Sequence, residues 1–173
     1  MNARELDLIH ETWGRQAERV SRVLDALPRT PYDFRPYPYA RSIGEMSWHL
    51  AELEAWTTFW IEREGKNEGE KPPGSERPRT IAELAPGYRR VHADALERAS
   101  RWTPELIDRE IAFFDGRPHR VGQLVWDAML HHSIHHLGQL VLMCRMAGGV
   151  PPGLYGPNHE ESEAMKTRDP GRR

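Results

Sequence analysis

Four histidines fall within six positions of this chain: His131, His132, Ser133, Ile134, His135, His136. They sit inside an apolar stretch from Val121 to Ala147. Imidazole is the commonest protein metal ligand and titrates near neutral pH. On a helix, residues four apart share a face one turn apart. Either His132 with His136 or His131 with His135 can therefore grip one ion. On a helical wheel, Val121, Val125, Met129, His132, His136, Leu140 and Met143 form one broad face. Leu130, Ile134, Leu137 and Val141 form the opposite one. The His132/His136 pair lies near the middle of the first face, and the His131/His135 pair is rotated towards Leu124 and Ala128. Periodicity favours the former and leaves the latter open. A helix apolar on two sides is either central in its domain or meets a second subunit.

Two imidazoles need a third ligand from elsewhere. Ser42 with Glu45 three residues on is the signature of a capping box, so a helix starts there. It carries Met46, His49, Leu53, Trp56 and Trp60 on one face, which turns His49 towards the core. Three neutral imidazoles plus water make an open, reactive metal site, unlike a closed structural one. Ligands must be deprotonated, so binding weakens at acid pH. Taken alone, His49 reads as a hydrogen-bonded core residue. Glu52, one turn on, is a solvated side chain or an orienting partner for a ligand. His10, His92, His119 and His159 lack such context and read as surface residues. Cys144 reads as a small buried hydrophobe, and Trp48, Trp56, Trp60 and Trp126 as packing.

The elements that must position these residues follow from the same periodicity. Leu6, Ile9, Trp13, Ala17, Val20, Leu24 and Leu27 form an amphipathic stripe ended by Pro28. Thr30 to Pro38 is a Pro- and aromatic-rich loop. The second helix fades near Arg63, and Glu64 to Arg79 reads as an exposed, mobile loop. Thr80 and Glu83 start a third helix running to about Trp102, with Pro86 kinking it or delaying its start. A short turn opens at Thr103-Pro104-Glu105. Ile111 to Phe114 followed by Asp115-Gly116 suggests a small β-ribbon. The last long helix spans Val121 to Ala147 and stops at Gly148-Gly149. From Asn158 onward the chain is charged and lacks an apolar pattern, so a frayed tail is expected. The expected fold is all-α: a four-helix bundle over residues 1–157, with a short ribbon between helices 3 and 4 and a polar tail over 158–173.

The 173 residues suffice for one domain with a full core. A formal charge of -2 and the lack of a basic run argue against nucleic-acid binding. No apolar run reaches membrane-span length, and the start of the chain has no secretory pattern. One cysteine cannot form an internal disulfide. A soluble cytoplasmic protein is the expectation.

Three stretches carry a resemblance to the DinB-like (DinB/YfiT-like) metal-dependent family. The first is Phe34-Arg35-Pro36-Tyr37-Pro38-Tyr39-Ala40-Arg41-Ser42-Ile43-Gly44-Glu45, followed by His49. The second is His132-Ser133-Ile134-His135-His136-Leu137-Gly138-Gln139-Leu140. The third is Arg145-Met146-Ala147-Gly148, leading to Pro151-Pro152 and Tyr155-Gly156-Pro157. Each motif alone is loose, but together they cover Trp13 to Pro157. Leu137 departs from the pattern, since many members carry arginine there. The resemblance implies a four-helix bundle holding a divalent metal on His49, His132 and His136, which selects between the two pairs left open above. It also implies a homodimer. Characterised relatives include transferases and isomerases that use a low-molecular-weight thiol as cosubstrate. The family name comes from a DNA-damage-inducible gene.

Two functional classes follow. The first is a metal-dependent enzyme acting on a small molecule: a thiol S-transferase, or a related hydrolase or isomerase. The metal would stabilise a cosubstrate thiolate or a hydroxide as nucleophile; no residue of the chain stands out as the catalytic group. The second is a non-catalytic metal-binding stress protein, whether sensor, buffer or structural site. Histidine nitrogen suits several metals. Zinc is the expectation by chemistry and abundance, with nickel next.

Overall fold

The computed structural model describes residues 3–29, 31–66 and 69–168. The N-terminal stripe folds as helix α1, Ala3–Asp25. Every member of that stripe except Leu6 is buried, and Leu6 packs at the edge of the core. Helix α2, Ile43–Glu62, begins at the capping box read from the sequence. The Glu45 amide donates to Ser42 Oγ at 3.2 Å, and the Ser42 amide donates to Glu45 Oε2 at 2.8 Å. Helix α3, Ile81–Ala99, continues through Pro86 and is not delayed by it. The Ala82 carbonyl one turn back, to which Pro86 has no N–H to donate, belongs to an exposed residue that water can reach. Helix α4, Pro104–Asp108, is capped by Thr103. Strands β1, Glu110–Ala112, and β2, Pro118–Arg120, pair antiparallel with Ile111 opposite His119.

The last long helix has three parts: α5, Val121–Leu124; a π-helical segment, Val125–His131; and α6, His132–Met146. Nothing in the periodicity of the chain signals the middle part. Its buried residues step by four, from Val125 to Met129 to Ser133 to Leu137. A regular α-helix drifts about 40° over each four-residue step. The wider turn of the π form, with its i→i+5 bonds, absorbs that drift. In α6 the core stripe is consequently Ser133, Leu137, Leu140 and Cys144. His132 and His136 lie on its shoulder, half-buried, where the wheel had set them at mid-face.

Helices α1, α2, α3 and the α5–α6 helix form the expected four-helix bundle, with the two-stranded ribbon between the third and fourth. Helix α2 is the central element. It packs on both α3 and α6 and buries 15 of its 20 residues. It runs through two packed clusters. One holds Val20, Leu24, Ile43, Leu50, Leu84 and Leu140. The other holds Ile9, Trp13, Trp60, Ile107, Val125 and Met129.

Three expectations need correction. The segment after Glu64 is not free along its described part. Trp48 Nε1 donates to the Ser75 carbonyl at 2.9 Å, and Tyr32 Oη donates to the Pro78 carbonyl at 2.5 Å. His92 is not a surface residue, because the carboxylate of Glu54 is only 2 % exposed and needs donors. His92 Nδ1 and Tyr88 Oη both donate to it at 2.6 Å. The frayed tail is instead a helix, α7, His159–Arg168, over its described part. The Glu161 amide donates to Asn158 Oδ1 at 2.7 Å, and Arg145 grips Glu160 through two 2.5 Å bonds. It buries no residue, which is why no apolar pattern announced it. Residues 169–173 of the expected tail lie outside the described residues.

Gly44 shows how tightly the loop before α2 is seated. A Cβ there would fall 2.1–2.4 Å from the Tyr32 ring. Gly44→Ala is expected to cost about 1–3 kcal/mol by overpacking, read from the urea midpoint. An unchanged midpoint would show that Tyr32 does not press on α2.

Candidate metal centre

Helix α2 supplies His49, and α6 supplies His132 and His136. Their ring centroids are 5.4 Å (His49–His132), 4.8 Å (His49–His136) and 4.6 Å (His132–His136) apart. One nitrogen from each ring lies within 4.8 Å of the others. Tetrahedral coordination at ~2.0–2.1 Å needs nitrogens about 3.4 Å apart, a spacing within reach of small rotations of these rings. Among the described residues this is the group of potential ligands that converges. His131 and His135 do not join it; both are exposed. His131 Nδ1 donates to Asp127 Oδ1 at 3.1 Å, and His135 meets Gln139.

Neighbouring side chains fix which nitrogen two of the histidines offer. His49 Nδ1 donates to Glu52 Oε2 at 3.3 Å, so Glu52 is the orienting partner rather than a solvated bystander. His136 Nδ1 donates to Gln139 Oε1 at 2.7 Å, and Gln139 Nε2 donates to His135 Nε2 at 3.1 Å. With Nδ1 engaged, Nε2 is the lone pair left for a metal on His49 and His136. Such partners orient ligands and raise their basicity. Gln139 was missed in the sequence. Its signal was its place three residues after His136, where side chains meet on a helix.

Burial, followed by the neighbouring His49, holds the His132 imidazole below its ordinary pKa. Burial lowers His136 to about 4, with the Gln139 contact opposing and His49 and His132 adding to it. Both rings are thus neutral at neutral pH, the state a metal requires. The donor set and its protonation fit a divalent ion.

The same shift makes the metal-free protein acid-sensitive. Unfolded, His136 takes up its proton near 6.5; folded, it resists until about 4. Between those values the unfolded chain binds more protons, so stability is lost as the pH falls through that window. The contribution is intact above about 6.5 and the loss is complete below about 4. In urea titrations of metal-free protein across that window, His136→Asn is expected to show a shallower decline than the wild type. Parallel curves would contradict it.

His49 and His132 line an open cleft of about 460 Å³. Leu53, Trp56, Phe113 and Phe114 wall it, and Arg41 reaches it from the loop before α2. The face of α2 read from the sequence as core is therefore partly cleft lining, with His49 and Trp56 half-buried. The ribbon brings its two phenylalanines there because Trp60 Nε1 donates to the Ala112 carbonyl at 2.6 Å. Gly65, with φ of 78°, lets the chain pass against Ala112. Sequence reasoning had no cue for Arg41, Phe113 or Phe114 as site residues, since only the ribbon's docking on α2 unites them.

The fold and the pattern are shared with known proteins. The structure superposes with a TM-score of 0.68 on a DinB-like protein from Bacillus cereus ATCC 10987, at 27 % identity, covering 85 % of this chain and 95 % of that one. The DinB-like protein YjoA from Bacillus subtilis also gives 0.68, at 21 % identity over 85 % and 96 % of the two chains, a likeness of fold. The uncharacterized protein YrdA of Bacillus subtilis (strain 168) is 24 % identical over 156 residues, 90 % of this chain and 91 % of its own. The sequence pattern of the DinB family matches residues 1–170, and the chain belongs to that family.

Proposed function

We propose that this protein is a divalent-metal-dependent enzyme, a transferase that joins a low-molecular-weight thiol to an electrophilic small molecule. The observation that carries this reading is the convergence of His49, His132 and His136 beside an open cleft. Three ligands and an accessible side are the pattern of a catalytic centre, whereas structural sites close with four. A divalent ion held there, zinc or nickel by the donor chemistry, supplies Lewis acidity that favours the deprotonated form of a thiol or water on its open side. Hydrolysis or isomerisation at the same centre is the sister chemistry.

The chain's own residues do the rest. Glu52 and Gln139 hold the His49 and His136 imidazoles in one tautomer. Leu53, Trp56, Phe113 and Phe114 exclude water from one side of the reacting groups. In the transfer, sulfur bonds to carbon, the leaving group departs with its bonding pair, and the thiol proton passes to solvent through the cleft mouth. No protein nucleophile is needed; Cys144 is buried, away from the cleft.

A second copy of the chain suits the outer side of α6. Ile134, Leu142 and Met146 are exposed along it, with Val150 just beyond, which supports a homodimer. A cytoplasmic stress-response role accords with the family. Among the described residues no helix is long and apolar enough to cross a membrane.

The test is a panel of thiols and electrophiles with zinc- or nickel-loaded protein. Thiol consumption with thioether formation, lost in His132→Ala, is the expected result. Equal rates for wild type and His132→Ala would refute the metal-centred reading.

A further inference from the structure

One cation at the cleft has no assigned task. Arg35 and Arg77, on either side of α2's start, both reach Glu45, at 2.6 and 3.6 Å. Arg41 lines the cleft and has no hydrogen-bond or ion-pair partner among the described residues. The first amides of α2 are all taken. Ile43 donates to the Phe34 carbonyl, Gly44 to the Tyr32 carbonyl and Glu45 to Ser42 Oγ. An anion arriving here would therefore meet the guanidinium and not the helix end.

The same cleft has an aromatic wall that is incompletely covered. Phe114 is 62 % exposed although it lines the cleft. Its ring lies 4.3 Å from Trp60, 4.7 Å from Phe113 and 6.4 Å from Trp56, centroid to centroid. These contacts hold Phe114 in place while leaving much of it in water, so a flat apolar body can still gain by covering it. A volume of about 460 Å³ is within the range of small-molecule sites. The carboxylate on the cleft wall is Glu52, and it is committed to His49. With neutral imidazoles, Glu52 at -1, Arg41 at +1 and a divalent ion at +2, the cleft carries about two positive charges.

We propose that Arg41 and the Trp56–Phe114 wall form the recognition subsite of this cleft, and that its ligand is an aryl carboxylate. The carboxylate pairs with the Arg41 guanidinium, the geometry that group favours for bidentate contacts. The ring system lies against Trp56 and Phe114. The far end of the ligand points to the three histidines, and only that placement rests on the metal-centred reading.

Calorimetry with 2-naphthoate, 2-naphthamide and acetate on the full chain, with and without one equivalent of zinc, decides the matter. Zinc uptake and thermal midpoint are recorded for each variant. Wild type is expected to prefer naphthoate over naphthamide by about tenfold, equivalent to 1.4 kcal/mol. Arg41→Gln, a change at an exposed side chain, removes that preference while leaving zinc uptake and the midpoint unchanged. Arg41→Lys restores part of it. Phe114→Ala weakens both aromatic ligands by a common factor of roughly three to ten. Retention of the preference in Arg41→Gln, or its absence from wild type, overturns the proposal. Acetate binding as tightly as naphthoate overturns the aromatic half. Should the protein take up no zinc, the metal-centred reading fails by itself, and the Arg41 comparison in zinc-free protein still decides this one.

Discussion

His136→Ala is expected to lower zinc affinity roughly 100- to 1,000-fold. Four-ligand zinc sites bind with about 10–16 kcal/mol, so one ligand of such a set contributes about 2.5–4 kcal/mol. His136 offers Nε2 because its other nitrogen is committed to Gln139. Gln139→Leu leaves the ligand in place but frees its ring, so a loss of about 10- to 100-fold is expected there. His135→Ala removes an exposed imidazole that touches the site only through Gln139, and affinity is expected to change little. The three values, measured by competition with a chromophoric chelator near pH 7.5, rank the cluster by role. A large loss for His135→Ala with little change for His136→Ala would show that the helix presents the other pair.

The second large effect concerns stability and not the metal. Glu54 is buried in the bundle, accepting from Tyr88 and His92. Burial and the Glu54 charge hold the Tyr88 phenol protonated well above its usual range. Glu54→Ala strands a phenol that is 1 % exposed and leaves a void. Stranding a buried donor and opening a cavity together cost about 3–5 kcal/mol. For a chain of this size the thermal midpoint is expected to fall by roughly 6–20 °C. Tyr88→Phe alone removes one hydrogen bond to a charged acceptor, worth about 1.5–3 kcal/mol. The double variant is expected to lose less than the two singles together, because the partners share one interaction. Zinc uptake should be unaffected in all three. A midpoint within 2 °C of wild type for Glu54→Ala would mean that water reaches the carboxylate.

The residues that could be read from sequence share one property: their signals are local. The α1 stripe, the Ser42–Glu45 box and the i,i+4 histidine pairs each fit within a few turns. His49 could be placed on a face, and the family resemblance then joined it to His132 and His136. Glu54 escaped notice because its partners sit on another helix, and a glutamate one place from Leu53 reads as solvent-facing. Arg41 and Phe114 escaped because a loop and a ribbon more than seventy positions apart meet only in the folded chain. Helix α7 escaped because capping and ion pairs hold it, and periodicity reports only apolar burial. The capping signal at Asn158 and Glu161 was present, but it marks where a helix can start and not that one will persist.

The π-helical segment acts as a clutch between two rotational settings of one rod. Below it, Val121 and Leu124 lock into the cluster built on Ile9, Trp13 and Ile107. Above it, Leu137 and Leu140 lock into the cluster built on Leu24, Ile43 and Leu84. A chain one residue shorter between Val125 and His131 would turn the upper half about 100° against the lower, by the pitch of an α-helix. It could keep both cores only by swinging His132 and His136 off His49, or keep the ligands by misaligning a core. The extra residue lets packing and coordination be set independently along a single helix.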